Sequence, residues 1–333
     1  MHDIRIPSAA IDHSNCQPRL IILSRDAKHY ADLWHAADAS GISLIVSTSE
    51  PKEVIAHPQV AMTTFLLADP DLAVQVIEYL PELAWCQSTW AGNAPLLNHP
   101  KQDYLLSGVK GIFSQLMSEY VLSYILAHVR KHEYFQKLQT QRHWQPPPIT
   151  SISQLTIGIV GFGNIASGML PVLTAFNAKV IGLSRRASTS TANAQILMYD
   201  TTAQQEFFEQ SDVIVNLLPD TLNTQGYITQ PLIDSLSPKV RLFINAGRGS
   251  VIEDAVLLSA LSQQVFTAAV LDVFSPEPLP ADHVFWAHPQ ITITQHTAAI
   301  SNPDDVMSVF FENLVRYTQG LQPLYLMNWE QGY

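Results

Sequence analysis

Thr156-Ile157-Gly158-Ile159-Val160-Gly161-Phe162-Gly163-Asn164-Ile165-Ala166 is an apolar run that ends in Gly-x-Gly-x-x-Ala. Its apolar part, from Leu155 to Val160, reads as a buried strand, Ile165 to Phe176 as the helix that follows, and Lys179 to Leu183 as a second strand. A bare Gly-x-Gly-x-x-Gly/Ala occurs by chance, but between a strand and a helix each position has its own physical task. Gly161 allows the tight turn, Gly163 lets a pyrophosphate approach the backbone, and Ala166 keeps the helix close to the sheet. Phe162, Asn164 and Ile165 complete the turn into the helix, whose first amides and positive dipole end favour phosphate. The chain holds only 14 glycines and five fall between Gly158 and Gly182, so incidental placement is a poor account. The stretch is read as a dinucleotide-binding loop.

Working outward, the same β-α-β rhythm continues in both directions. Downstream, Val213 to Leu218, Arg241 to Asn245, Thr267 to Leu271 and Ile291 to Thr294 read as strands. Ala203 to Gln210, Gln230 to Leu236 and Asp254 to Gln263 read as the helices between them, and Ala187 to Ala194 as a surface loop. Upstream, Leu20 to Leu23, Ile42 to Val46, Thr64 to Ala68 and Leu83 to Gln87 carry the strand signal. Ala27 to Ala39 reads as a helix and Val74 to Leu80 as part of another. One long helix is predicted from Ser114 to Gln141, stopped before Pro146-Pro147-Pro148. The fold class is α/β: two doubly wound, Rossmann-like units with parallel sheets, and an active site expected in the cleft between them.

Composition agrees with that class. A chain of 333 residues exceeds the usual size of one hydrophobic core, and its 47% apolar content can fill two. With 18 Lys and Arg against 29 Asp and Glu, the net charge of -11 offers no general attraction to nucleic acid or to an anionic membrane. An anionic ligand must therefore be held by a few local Arg residues or by oriented amides. Two cysteines, Cys16 and Cys86, and a polar start without an apolar leader give the expectation of a cytoplasmic protein.

The second strand of the dinucleotide unit ends in Leu183-Ser184-Arg185-Arg186, where an NAD site usually places Asp or Glu on the ribose 2′-hydroxyl. No acid occurs between Lys179 and Tyr199. Ser184, Arg185 and Arg186 instead offer donors and charge for a 2′-phosphate, so NADP is the preferred coenzyme and NAD the alternative. Three later strand ends carry reactive side chains: Arg248 between Gly247 and Gly249, Glu277 between Pro276 and Pro278, and His296 ahead of Thr297-Ala298-Ala299. The glycines are expected to free the backbone around Arg248 to turn. Arg grips a carboxylate with its planar fork, His exchanges a proton near neutral pH, and Glu orients and charges that His. Each has an ordinary structural explanation when taken singly. Their joint position beyond a dinucleotide loop points to catalysis.

These segments, with Ser88-Thr89-Trp90-Ala91-Gly92, Asn216-Leu217-Leu218-Pro219, Asn245-Ala246-Gly247-Arg248-Gly249 and Leu271-Asp272-Val273-Phe274, resemble the D-isomer-specific 2-hydroxyacid dehydrogenase family. Within it, the Leu183-Ser184-Arg185 and Phe274-Ser275-Pro276-Glu277-Pro278-Leu279-Pro280 stretches and the terminal Gly332-Tyr333 are most similar to the glyoxylate/hydroxypyruvate reductase A type. The resemblance implies a substrate domain of residues 1–113 completed by 297–333, with the coenzyme domain 114–296 inserted. It implies a homodimer, reduction of a small 2-oxoacid, and His296 as proton donor paired with Glu277. Arg248 would bind the substrate carboxylate and carbonyl together with Trp90, Ala91 and Gly92. Leu218, Pro219, Thr224, Ala246, Gly247 and Asp272 would line the coenzyme, Asp272 at the nicotinamide amide. Two positions depart from the family pattern: Gln295 stands where Pro often precedes the His, and Asn93-Ala94-Pro95 follows Gly92. Both bear on which 2-oxoacid is used, a bulkier one included. A coenzyme-sensing corepressor shares this fold and triad, but the chain has no arms or low-complexity tails to recruit partners. Formate dehydrogenases lack an acid such as Glu277. His128 and His132, four apart on the long helix, lack the Glu that a zinc protease needs after the first His, so no metal site is expected.

Overall fold

The computed structural model describes residues 17–37, 41–184, 194–198, 201–239 and 241–330. The chain divides into two compact units, Met1–Ile112 with Ser301–Tyr333, and Phe113–Ile300. In the first, β1 (Arg19–Leu23), β2 (Ser43–Thr48), β3 (Phe65–Ala68), β4 (Trp85–Ser88) and β5 (Leu105–Ser107) form one sheet in the order β2-β1-β3-β4-β5. Every pairing is parallel. β3 is wholly apolar and β1 apolar beyond Arg19, and β3 and β4 are buried along their length, as strands covered on both faces must be, with Gln87 and Ser88 of β4 buried among hydrogen-bond partners. The strand order reverses between β1 and β3.

Three features of this unit differ from the sequence reading. β5 is an added edge strand too short to stand out. Val74 to Leu80 does not continue as an α-helix: the four-residue helix Pro70–Ala73 tightens into turns and a 3₁₀ segment at Ile77–Tyr79. Gln75, Val76, Tyr79 and Leu80 each donate to the carbonyl three residues back. That tighter winding buries Ala73, Val76, Ile77 and Leu80 together. Finally, Pro303–Thr318 forms a helix, begun by the Asn302 side chain accepting from the Asp304 amide, with Pro303 at its first position. Its Phe310 stacks on Trp85 at 5.2 Å between ring centroids and Phe311 stacks on Trp34 at 5.9 Å. Burying such rings stabilises the unit by about 1.5–3 kcal/mol each.

The second unit carries β6 (Thr156–Val160), β7 (Lys179–Ser184), β8 (Ala194–Met198), β9 (Val213–Asn216), β10 (Leu242–Asn245), β11 (Ala268–Leu271) and β12 (Ile291–Ile293). Their order is β12-β11-β10-β9-β6-β7-β8, again all parallel, with the reversal between β6 and β9. Ala194 opens β8 instead of closing a loop; most of the expected loop, 187–193, lies outside the described residues. The strand expected up to Leu218 stops pairing at Asn216, because the Asn216 side chain accepts the Leu218 amide and turns the chain. The helix predicted from Ser114 to Gln141 is two helices, Ser114–Val129 and His132–Thr140. They are separated by Lys131 in the left-handed region at φ 59°. His128 and His132 therefore sit on different helices. Among the described residues no helix is long and apolar enough to cross a membrane, and no group of three His, Cys, Asp or Glu could hold a metal.

Candidate active site

At the β6–β9 reversal, Gly161 has φ +89°, and an added Cβ would lie 3.0 Å from the backbone of Leu217 and Leu218. Glycine is required there on both counts. The Gly161 and Phe162 amides donate to the Leu183 carbonyl, which ties the turn to the end of β7. Gly163 precedes the helix Asn164–Ala175, whose first turn has no side-chain cap. A Cβ on Gly163 would meet nothing within 4 Å, so the space beside this helix start is open. Ala166 is buried, which seats the helix on the sheet. A diphosphate fits a cradle of uncapped amides of this kind. Phe162 is buried, Asn164 exposed and Ile165 half-buried. Ser184 closes β7, while Arg185 and Arg186 lie outside the described residues.

The next two strand ends are locked by a pair of buried asparagines. Asn216 Nδ2 donates to Asn245 Oδ1 at 2.8 Å, Asn245 Oδ1 also accepts the Gly247 amide, and Asn245 Nδ2 donates to the Arg248 carbonyl. Gly247 is needed for proximity: a Cβ there would come within 2.7 Å of the Leu218 carbonyl oxygen. At Gly249 it would fall 2.2 Å from the Phe274 carbonyl carbon. Neither glycine has a positive φ, so the pair serves close packing and not the freedom to turn that the sequence suggested. Thr224 donates its hydroxyl to the Pro219 carbonyl and accepts the Thr221 amide, closing the loop that carries Leu218 and Pro219. Ala246 donates its amide to the Asn216 carbonyl.

Three side chains meet beyond this frame. His296 Nδ1 lies 2.8 Å from Glu277 Oε2, and Glu277 Oε1 accepts the Phe274 amide at 2.8 Å. The bond to Glu277 raises the His296 pKa above its ordinary value, burial and the Arg248 charge oppose the rise, and the Glu277 and Asp272 charges add to it. Burial pushes Glu277 up, yet the His296 bond, the Phe274 amide and the nearby cations outweigh it and hold its carboxyl low. Burial pulls the Arg248 guanidinium down from its ordinary value, partly offset by Glu277 and Asp220. Arg248 gives one bond to the Gly247 carbonyl, and no carboxylate of the described residues lies within 4.0 Å of it. A desolvated cation with unused donors beside a His–Glu pair is a ready receptor for a small carboxylate.

Asp272 does more than the sequence shows. It is buried, and its carboxylate accepts the Thr294 hydroxyl and the amides of Thr297 and Ala298, while its carbonyl accepts the His296 amide. His296 sits at φ +55°, a backbone state that costs roughly 1–2 kcal/mol in a non-glycine residue. The bonds to Asp272 hold it there.

Trp90, Ala91 and Gly92 belong to the first unit, in the loop after β4. Asp69, one residue beyond β3, accepts from Ser24, from Thr89 and from the Arg25 amide and guanidinium. Arg25 also lies 5.3 Å from the Trp90 ring centre and pairs with Asp71. Sequence reasoning passed over Asp69, although an acid directly after a buried apolar strand was a visible signal.

A family model described as the NAD-binding domain of D-isomer-specific 2-hydroxyacid dehydrogenases matches residues 122–298. Glyoxylate/hydroxypyruvate reductase A of Serratia proteamaculans is 36% identical over 220 residues, covering 66% of this chain and 69% of that protein. The crystal structure of a D-isomer-specific 2-hydroxyacid dehydrogenase family protein from Aeromonas salmonicida superposes with a TM-score of 0.87 at 33% identity, over 94% of this chain and 100% of that one. An NADPH-dependent glyoxylate/hydroxypyruvate reductase from Sinorhizobium meliloti, solved with NADP and sulfate, superposes at 0.82 and 26% identity, over 95% and 100%. With its phosphate cradle and its Arg248, Glu277 and His296 cluster, the chain is a member of the D-isomer-specific 2-hydroxyacid dehydrogenase family, a nicotinamide-dependent oxidoreductase similar to its glyoxylate/hydroxypyruvate reductase A branch.

Proposed function

We propose that this protein reduces a small 2-oxoacid of the glyoxylate or hydroxypyruvate kind to the D-2-hydroxyacid, with NADPH as the preferred reductant. The observation that carries this reading is the half-buried Arg248, with no carboxylate of the described residues within 4.0 Å, beside the His296–Glu277 pair. When bound, the reduced nicotinamide supplies the hydride. The chain's own residues do the rest. Arg248 grips the substrate carboxylate and draws the neighbouring carbonyl towards its fork. Glu277 holds the Nδ1 edge of His296, which leaves Nε2 to deliver a proton to the carbonyl oxygen as C2 receives the hydride. Charge and atoms balance: one hydride and one proton convert the carbonyl to the alcohol, and Glu277 stays ionised to stabilise the imidazolium beforehand.

In this reading the first unit handles the substrate through Trp90, Ala91 and Gly92, the second handles the coenzyme, and two copies form a homodimer. The NADPH preference rests on Ser184, Arg185 and Arg186, on the missing acid between Lys179 and Tyr199, and on the relative named as NADPH-dependent. The test is a spectrophotometric panel of NADPH and NADH with glyoxylate, hydroxypyruvate, pyruvate, phenylpyruvate and 2-ketoisocaproate. Turnover is expected with the small acids, and Arg185→Ala should cost about tenfold in kcat/KM for NADPH while sparing NADH. Turnover confined to the bulky acids, or a preference for NADH, would overturn the respective part of the reading.

A further inference from the structure

The His296 loop has an anchor that reaches back to another element of its unit. Thr294, the residue after β12, places its hydroxyl on the Asp272 carboxylate, and the Tyr120 hydroxyl lies 2.8 Å from the same Thr294 oxygen. A threonine hydroxyl has one proton, and here it goes to the carboxylate. Tyr120 must then be the donor in its own bond with Thr294, so the chain runs in one direction from Tyr120 through Thr294 to Asp272. Burial pushes the Tyr120 phenol well above its ordinary pKa, which keeps that donor protonated. Tyr120 is also fixed by its ring against Tyr124, 4.9 Å between centroids, on the helix Ser114–Val129.

The far end of the chain is the catalytic loop itself. Asp272 accepts the amides of Thr297 and Ala298 through its carboxylate and the amide of His296 through its carbonyl, and the Thr294 amide donates to the Leu271 carbonyl. Residues on both sides of the left-handed His296 are thereby wrapped around one side chain. If the Asp272 carboxylate rotates, both amides lose their acceptor and the imbalance falls on the one residue with a costly φ. Thr294 and Tyr120 occupy the remaining positions that stop such rotation.

We propose that Thr294 and Tyr120 are positioning residues for His296: through Asp272 they hold the imidazole at Glu277 in the geometry that proton delivery needs. This rests on the proposed reduction of a 2-oxoacid, but it concerns an arrangement already present in the free protein. Neither residue is assigned a contact with substrate.

The test compares Thr294→Val, which keeps the shape and removes the hydroxyl, with Thr294→Ser, which restores it, and with Tyr120→Phe. Thr294→Val is expected to lower kcat for the oxoacid about tenfold, Tyr120→Phe about threefold, and Thr294→Ser to stay within about twofold of the parent, since small misplacements near a reacting group carry factors of this size. The dissociation constant of the coenzyme, measured by fluorescence, should change less than about twofold in all three. Independently of turnover, the His296 Nδ1 proton shared with Glu277 should give a downfield resonance in ¹⁵N-histidine-labelled protein. That resonance should be lost by exchange in Thr294→Val and recovered in Thr294→Ser. An unchanged resonance in Thr294→Val overturns the proposal whatever happens to kcat, and so does a parent-like kcat. A parent protein that reduces no 2-oxoacid, with the resonance still lost and rescued as described, overturns the proposed activity and leaves the positioning role standing.

Discussion

Asp69 and Asp272 occupy the same station in their two sheets, one residue beyond the carboxyl end of a buried parallel strand, and each gathers the loop that follows a neighbouring strand. Their donors differ. Asp69 accepts two hydroxyls, an amide and the Arg25 guanidinium, so its charge is met by a cation. Asp272 accepts one hydroxyl and two amides, all neutral, and its charge still reaches His296, whose pKa it helps to raise. The same device thus serves two ends. One carboxylate fixes a loop and is screened locally. The other fixes a loop and adds to the field on His296.

Removing each acid in turn separates the two roles. Asp272→Ala should lower kcat by about 10²-fold, because it frees the His296 loop and removes part of its field. Asp69→Ala should instead raise the oxoacid KM about tenfold and leave kcat within about threefold, since it loosens the Ser24–Arg25 turn and the Thr89–Gly92 loop but not the His296 loop. Each leaves buried donors without an acceptor, at roughly 1–3 kcal/mol per group, so both should melt earlier. Equal losses of kcat in the two variants would remove the distinction.

A second, smaller effect concerns pH. In the proposed reduction His296 gives up its proton, so the rate should fall as pH rises through a His296 pKa that lies above the ordinary imidazole value. Glu277→Gln removes the largest cause of that rise and should move the alkaline limb to lower pH. A raised His pKa stabilises most below the unfolded value of about 6.5, and a lowered Glu pKa stabilises most above its unfolded value of about 4.5. The pair therefore contributes most between those limits, and less because His296 is half-exposed. A limb unmoved in Glu277→Gln, with chemistry shown to limit the rate, would remove Glu277 from this role. Arg248→Lys should recover only part of what Arg248→Ala loses in kcat/KM, since a point charge lacks the planar fork. Arg25→Ala should do least: its side chain is 55% exposed, and such pairs contribute about 0–1 kcal/mol. A large kcat loss there would mean that the cation at Asp69 matters as much as the field at Asp272.

The elements that the sequence made legible are those whose burial is continuous. β1, β3, β6, β9, β10 and β11 are apolar runs because both faces are covered, and Gly161 and Gly163 stood out against a chain poor in glycine. The helix Pro303–Thr318 was missed although Asn302, Pro303, Asp304 and Asp305 form a readable start. The break at Lys131 left no mark, because the left-handed residue is neither glycine nor asparagine. The triad could be read residue by residue. The anchor beneath it could not, since Tyr120, Asp272 and Thr294 are far apart in the chain and only the β11–β12 register and the packing of the helix Ser114–Val129 bring them together.

Gly249 has a consequence for anyone who sets out to diversify this enzyme. Its missing side chain lies against the Phe274 backbone, and the Phe274 amide holds Glu277. A library that randomises positions 247 to 249 to broaden substrate choice will therefore return survivors that keep both glycines. A methyl group at position 249 would push Phe274 aside and disturb Glu277, which charges His296. Diversity is better introduced at Gln295, whose side chain is exposed.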